Sequence, residues 1–120
     1  MDTLRQSFSW GRLVVILGCS RDKDIPGMLA ELAPHVDALY FTRYSSSPRA
    51  AAPEMLAQLW PGRAPCYLHA RAEEAWLAAC SAAKPDDLIC ITGSVFLAGE
   101  LRDTVRLSLA ATGASALPLR

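Results

Sequence analysis

Three consecutive charged residues, Asp22, Lys23 and Asp24, are the first group whose types and spacing could do chemistry. They follow an apolar run that ends at Gly18. An ammonium group between two carboxylates suits a ligand carboxylate, while the two acids suit a ligand ammonium group or the water molecules of a metal ion. The alternative is structural: Asp24 caps the helix that follows, Asp22 assists it, and Lys23 is solvated. The residue types alone leave both interpretations open.

A second group, Thr92, Gly93 and Ser94, joins an apolar strand-like run to a helix-like segment. Gly93 permits a tight turn, and Ser94 can cap the helix. The free backbone N–H groups of such a junction form a concavity that binds anions. A capped junction without any ligand is the alternative.

Arg49 is the third candidate, in the polar loop 43–52. Pro48, directly before Arg49, restricts the backbone, so we expect the guanidinium to have a defined direction. It could bind a carboxylate through two parallel hydrogen bonds. A solvent-exposed loop is the alternative. His69 follows an apolar stretch and could act in acid–base chemistry, but it has no acid partner nearby in sequence, and we interpret it as structural.

The composition excludes several classes of protein. The 120 residues suffice for one domain with a real core, and 52% hydrophobic against 20% charged residues indicates a globular chain. Twelve Lys and Arg balance twelve Asp and Glu, so bulk electrostatics disfavours nucleic acid and membrane partners. No apolar run approaches the about 20 residues of a membrane span, and residues 1–10 do not resemble a signal peptide.

The cysteines are widely spaced and form no CxxC or CxC pair: Cys19, Cys66, Cys80 and Cys90. A chain of this size with an adequate core needs no disulfide, so we expect reduced thiols and a cytoplasmic location. The spacing gives no support to a zinc site completed by His35 and His69, and we expect no bound metal.

Strand-like and helix-like segments alternate along the chain, which indicates a parallel sheet. Apolar and β-branched runs predict strands at 12–18, 36–42, 64–68 and 87–92. Helical spacing of apolar residues predicts four helices, one after each of these strands. The first carries Ile25, Met28, Leu29 and Leu32, and the second begins at Pro53 and carries Met55, Leu56, Leu59 and Trp60. The third carries Ala72, Ala75, Trp76, Ala79, Cys80 and Ala83, and the fourth carries Leu97, Leu101, Val105 and Leu109. The fold class is therefore α/β, a three-layer Rossmann-like domain with a mainly parallel sheet. Ligands of such sheets bind beyond the carboxyl ends of the strands, where all three candidate groups lie.

Several familiar site motifs are missing from the sequence. It contains neither GxGxxG nor GxxxxGK[ST], so we do not expect it to bind nucleotide phosphates unaided. It has no GxSxG nucleophile motif. A phospho-receiver domain is excluded because Leu68, His69 and Ala70 stand where that class needs an acid after the third strand.

Three blocks of the sequence resemble the C-terminal domain of folylpolyglutamate synthase/dihydrofolate synthase, the folate branch of the Mur ligase superfamily. They are GCSRDKDIPGML at 18–29, PRA at 48–50 ahead of a helix, and DLICITGSVFLAGELR at 87–102. Their order and spacing match the family from about residue 4 to residue 106. The DKD and GS blocks are fairly specific in combination, although each alone is weak.

The resemblance implies a ligase whose central domain binds ATP and Mg²⁺ and phosphorylates a carboxylate of the folate or pteroate substrate. The C-terminal domain then holds L-glutamate so that its amine attacks the acyl phosphate. The resemblance places Asp22, Lys23 and Asp24 in the glutamate and interdomain site. It places Thr92, Gly93 and Ser94 beside the amino acid, and Arg49 at the cleft.

The chain also departs from this family. The Asp-Gly-Ala-His-Asn block ahead of the first helix is missing, as are the P-loop and the magnesium ligands. Leu4 and Phe8 resemble the last turns of a helix whose beginning is absent. We therefore expect residues 1–110 to be a glutamate ligase domain truncated in its first helix, and 111–120 to be a flexible tail.

These departures set the functional expectations. We expect no catalytic residue in this chain, no activity of the chain alone, and no stable binding of ATP or Mg²⁺ by it. The expected partners are L-glutamate, the folate or pteroate substrate and the missing P-loop domain, with self-association through the truncated face. A stand-alone module that binds an amino acid or small anion without catalysis is the alternative.

Overall fold

A five-stranded parallel sheet forms the middle layer of the protein. The computed structural model describes residues 11–45, 47–93 and 97–102, and the backbone of 116–118. The strands in chain order are β1 (Leu13–Leu17), β2 (Ala38–Phe41), β3 (Cys66–Leu68), β4 (Leu88–Thr92) and β5 (Ala116–Pro118). They lie side by side in the order β3-β2-β1-β4-β5, so the chain builds the sheet outward from β1 in one direction and then in the other.

Helices cover both faces of this sheet. They are α1 (Ile25–Leu32), α2 (Pro53–Leu59) and α3 (Ala72–Ala82), and residues 97–102 are also helical. Strand β1 is buried on both faces because its side chains alternate between two apolar clusters. One cluster joins Leu13, Val15 and Leu17 to α1 and α2, and the other joins Val14 and Ile16 to α3 and 97–102. This confirms the predicted three-layer α/β fold.

The start of α1 also confirms a prediction. The Asp24 carboxylate accepts a hydrogen bond from Gly27 N at 3.3 Å, and Pro26 occupies the first turn, where its missing N–H costs nothing. The helix ends at Leu32, ahead of Pro34.

Other boundaries differ from the predictions. Strand β3 begins at Cys66 and not at residue 64, and α2 ends at Leu59, with Trp60 as its C-cap. On α2, Leu56 is fully buried, whereas Met55 and Leu59 are 36% and 38% exposed. Residues 116–118, within the expected tail, pair with β4. No pattern in the sequence predicted this strand.

At the amino ends of the strands, the Asp37 carboxylate joins β1 to β2, and an ion pair between Arg12 and Asp87 joins β1 to β4. Leu13 N donates to Asp37 Oδ2 at 2.7 Å, and Arg12 Nη2 donates to Asp87 Oδ2 at 2.8 Å. These contacts fix the edge of the sheet opposite to the predicted site.

Some predictions lie outside the described residues. These are the truncated first helix with Leu4 and Phe8, the face expected to self-associate, and the positions of Ser94, Val105 and Leu109. Among the described residues, no helix has the length and apolar character needed to cross a membrane.

Candidate functional site at the carboxyl edge of the sheet

The loops after β1 and β2 are joined by backbone hydrogen bonds. Arg21 N donates to Arg49 O at 2.9 Å, and Ala51 N donates to Cys19 O at 2.8 Å. Ser20 and Ala50 form an isolated antiparallel bridge between these contacts. Two loops that the sequence analysis treated separately therefore form one structural unit.

An ion pair on this unit brings together two predicted site residues. Arg49 Nη1 lies 3.0 Å from Asp22 Oδ2, and the two side chains are 72% and 65% exposed. Asp22 is also held in a local turn, because its N–H donates to Ser20 Oγ and the Ser20 hydroxyl donates to Asp22 Oδ2, both at 3.2 Å. The pair neutralises the Arg49 guanidinium, so a ligand carboxylate must compete with Asp22 for it.

Lys23 is exposed, and its ammonium group makes no hydrogen bond or ion pair with the residues that the structure describes. Its charge opposes the effect of burial on the Cys19 thiol, whose pKa is raised to about 11 because desolvation is the larger influence. With Asp24 engaged in capping α1, Lys23 is the member of the charged triplet whose side chain is available to a ligand.

Gly18 and Gly93 lie in backbone contact where β1 and β4 end. Gly93 has φ of 103°, and a Cβ atom added to it would lie 2.6 Å from Gly18 O. Gly18 N donates to Thr92 O at 3.4 Å, and Thr92 is 8% exposed. The sheet order reverses between β1 and β4, and open α/β sheets bind ligands at such a point. Ser94 lies outside the described residues.

A cleft of about 410 Å³ opens at the same edge, beyond β2 and β3. Its walls come from the loop after β2, the start of α3 and the helix 97–102: Arg43, Tyr44, Ser45, Ser47, Pro48, Ala70, Arg71, Ala72, Glu73 and Glu100. Glu100 Oε1 accepts from Ser45 N at 2.7 Å and from Ser45 Oγ at 2.8 Å. Arg71 Nη2 lies 3.5 Å from Glu73 Oε2. The cleft is of a size that holds small molecules.

None of the six predicted site residues that the structure describes lines this cleft. The loop after β2 was predicted as a candidate through Arg49 and the range 43–52, because it follows a predicted strand. No functional role was predicted for Arg71, Glu73 or Glu100. Glu100 meets Ser45 only through tertiary packing, 55 positions away in the chain, and no local pattern reveals that contact.

His69 follows β3 and stacks on Tyr40, with ring centroids 5.9 Å apart. Among the described side chains, its Nδ1 atom and Thr42 Oγ1 are buried without a hydrogen-bond partner. A histidine base is normally oriented by a carboxylate or carbonyl on its second nitrogen, and Nδ1 has no such partner. No group of three or more His, Cys, Asp or Glu side chains in the described part of the chain could hold a metal ion.

The fold and its carboxyl-edge loops place the chain among the Rossmann-like α/β domains that bind ligands where the sheet order reverses. Comparison with known families narrows this class, because the family described as Mur ligase, glutamate ligase domain matches residues 1–95. The chain belongs to this family. A comparison with curated protein sequences found no match.

Solved structures of folate ligases share the fold. Escherichia coli FolC in complex with DHPP and ADP is 26% identical with a TM-score of 0.77, and covers 89% of this chain. Mycobacterium tuberculosis folylpolyglutamate synthase complexed with ADP and AMPPCP is 35% identical with a TM-score of 0.74, and covers 86%. In both cases the chain spans 25% of the longer protein.

A third structure agrees with these two. The bifunctional folylpolyglutamate synthase/dihydrofolate synthase of Yersinia pestis, complexed with AMPPNP and Mn, is 25% identical with a TM-score of 0.71; the match covers 88% of this chain and 23% of that one. The chain is therefore homologous to about a quarter of a folylpolyglutamate synthase, which confirms the predicted resemblance.

Proposed function

We propose that this chain is the amino-acid-binding domain of an ATP-dependent ligase that adds L-glutamate to dihydropteroate or to a folate. The observation that carries the proposal is the glutamate ligase domain match over residues 1–95. The homologous quarter of folylpolyglutamate synthases bound to ADP or an ATP analogue supports it.

In this proposal the chain presents the amine that forms the new amide bond. The glutamate nitrogen attacks the acyl phosphate carbon, the bond from that carbon to the phosphate oxygen breaks, and inorganic phosphate leaves. The amine loses its proton to solvent. Holding the amine in line with the acyl carbon supplies the rate advantage of a preoriented reactant, and this positioning is the contribution that we assign to the carboxyl-edge loops.

The charges of these loops suit a zwitterionic amino acid. Lys23 offers an unpaired ammonium to a carboxylate, and Arg49 offers a guanidinium that Asp22 holds in place. Asp22 in turn can accept from the ligand's ammonium group once Arg49 has turned to a carboxylate. The turn at Thr92 and Gly93, with Ser94 following, completes the proposed site, and Asp24 fixes its geometry through the cap of α1.

ATP and Mg²⁺ do not fit the residues of this chain. The sequence carries no GxxxxGK[ST] loop, and the described residues provide no cluster of metal ligands. We assign both to the central domain of a complete ligase, and we propose that the isolated chain is inactive.

Heteronuclear NMR titration of the 120-residue chain with L-glutamate tests this proposal. We expect saturable shifts at the backbone amides of 20–24, 49 and 92–93, and no response of these amides to ADP with Mg²⁺. Lys23→Ala should weaken glutamate binding about fivefold, the loss of one exposed charge–charge contact. Lys84→Ala, an exposed lysine at the opposite edge, is the matched control.

The proposal fails if glutamate shifts are absent from these loops, or if Lys23→Ala and Lys84→Ala bind glutamate equally well. A complete homologous ligase carrying the Lys23 substitution gives a second readout. There, an unchanged KM for glutamate would show that Lys23 is only a solvated neighbour of the cap.

A further inference from the structure

A second cavity, of about 210 Å³, lies at the opposite edge of the sheet from the proposed glutamate site. Arg12 precedes β1 and Pro65 precedes β3, and both line it together with the last turn of α3. Tyr40 and Tyr67 form its aromatic wall. We propose that this cavity binds a small planar aromatic monocarboxylate.

Room for a flat ring exists because the facing positions carry small side chains. Ala79 and Ala82 of α3 and Ala38 of β2 all line the cavity, and each lacks the side-chain volume that would close the space between helix and sheet. The cavity has less volume than most drug-sized sites, which limits the ligand to about one ring with a short substituent.

The aromatic wall favours a planar ligand. The Tyr40 and Tyr67 rings stack with centroids 4.9 Å apart and an interplanar angle of 28°. Tyr40 is 5% exposed, whereas Tyr67 is 45% exposed, so Tyr67 retains surface for a further aromatic contact. Such contacts add to the free energy of simple apolar burial.

The charges around the cavity favour one negative charge on the ligand. Arg12 is held by Asp87, which neutralises it. The exposed Lys84 ammonium makes no hydrogen bond or ion pair with a described residue and acts on Asp87 only through its charge. Burial and the neighbouring Tyr67 raise the pKa of Tyr40 against the opposing charge of Arg12. The Tyr40 phenol therefore stays protonated at neutral pH and can donate to a carboxylate.

The charge of Lys84 sets the orientation of the ligand. Lys84 follows the end of α3 at Ala82, and its full positive charge outweighs the partial negative charge of the last helix carbonyls. The carboxylate is expected at the rim beside the Lys84 ammonium, with the ring directed inward against the alanines. This site does not depend on the proposed ligase function, because it shares no residue with the carboxyl-edge loops.

NMR titration of the 120-residue chain with benzoate tests the inference. We expect saturable shifts at the amides of 38–40, 66–67 and 79–84. Benzyl alcohol, which has the ring without the charge, should bind about fivefold more weakly, and acetate should leave these amides unmoved. Lys84→Ala should lower benzoate affinity about fivefold and leave benzyl alcohol unaffected, while Lys23→Ala should change neither.

A variant that fills the cavity gives an independent readout. Ala82 is exposed at its mouth, so Ala82→Leu should abolish the benzoate shifts while the remaining amide spectrum stays folded. The inference is overturned if benzoate produces no saturable shift at these amides, if Ala82→Leu binds as the parent chain does, or if Lys84→Ala retains full affinity. A glutamate response at 20–24 bears only on the proposed function, so the two failures are distinguishable.

Discussion

The Arg49 guanidinium lies 3.0 Å from the Asp22 carboxylate and links the loop after β2 to the loop after β1. The same loops are already joined by the hydrogen bond from Arg21 N to Arg49 O and by the bridge between Ser20 and Ala50. The backbone contacts thus hold the loops together, and the exposed ion pair can exchange its partner for a ligand at low cost.

This arrangement predicts a small effect on stability and a larger one on binding. Asp22→Asn and Arg49→Gln should each lower the free energy of unfolding by less than about 1 kcal/mol, because exposed ion pairs contribute little. Arg49→Gln should weaken glutamate binding about fivefold. Urea unfolding of the single and double variants, with a parallel glutamate titration, measures both effects. A coupling energy well above about 1 kcal/mol would show that the pair is structural.

Any residue larger than glycine at position 93 should lower the stability of the protein. Gly93→Ala places a side chain at φ of 103° and a Cβ atom 2.6 Å from Gly18 O, so we expect a loss of about 1–3 kcal/mol in unfolding free energy. The matched control is Gly99→Ala, because a Cβ atom at this helical position meets no described atom within 4 Å. That change should stabilise the protein by about 0.5–1 kcal/mol. Thermal unfolding of both variants checks the opposite signs.

Asp87 should make stability depend on pH in the acid range. Hydrogen bonds from Arg12 hold the pKa of the Asp87 carboxyl below its usual range. A carboxyl with a lowered folded-state pKa contributes stability above its unfolded pKa of about 4, and the contribution is lost as the pH falls through the folded pKa. Asp87→Asn should therefore cost about 1–3 kcal/mol at pH 7, and its difference from the parent chain should shrink below about pH 4.

Denaturant unfolding between pH 3 and pH 7 measures this dependence. Asp86→Asn serves as the control, because Asp86 is exposed whereas the Asp87 side chain is 2% exposed. A difference between parent and Asp87→Asn that stayed constant across this range would mean that the charge of Asp87 contributes nothing.

The four thiols should react at two different rates. Burial raises the pKa of Cys19, against the charge of Lys23, and of Cys90, each to about 11. Cys66 and Cys80 are half-buried. In native buffer at pH 8, a disulfide reagent should modify Cys66 and Cys80 first and reach Cys19 and Cys90 only after unfolding. A chain carrying Cys66→Ser and Cys80→Ser should then show no reaction until urea is added; rapid native labelling of that chain would contradict the burial of the remaining thiols.

Local chemistry accounts for the parts of the fold that the sequence predicts. Strand β1 is five consecutive apolar residues, a pattern typical of a strand buried on both faces. The cap of α1 depends on Asp24 and Pro26 alone. Both features depend on residues within a few positions of one another, so the sequence predicts them without knowledge of tertiary contacts.

Features that depend on residues far apart in the chain could not be predicted from local sequence patterns. Strand β5 ends in Pro118 within a Gly/Ala-rich segment, and its partner β4 makes it a strand. The pairing of Asp22 with Arg49 spans 27 positions. The sequence identified both as candidates, but only the fold shows that they neutralise each other.

The central place of β1 has a consequence for synthesis of the chain. Its partner β2 follows within about twenty-five residues, whereas β4 on its other side arrives some seventy-five residues later. While the ribosome makes the intervening segment, one edge of an entirely apolar strand has no partner. Chaperone binding or misassembly between nascent chains is therefore expected at that edge until β4 pairs with it.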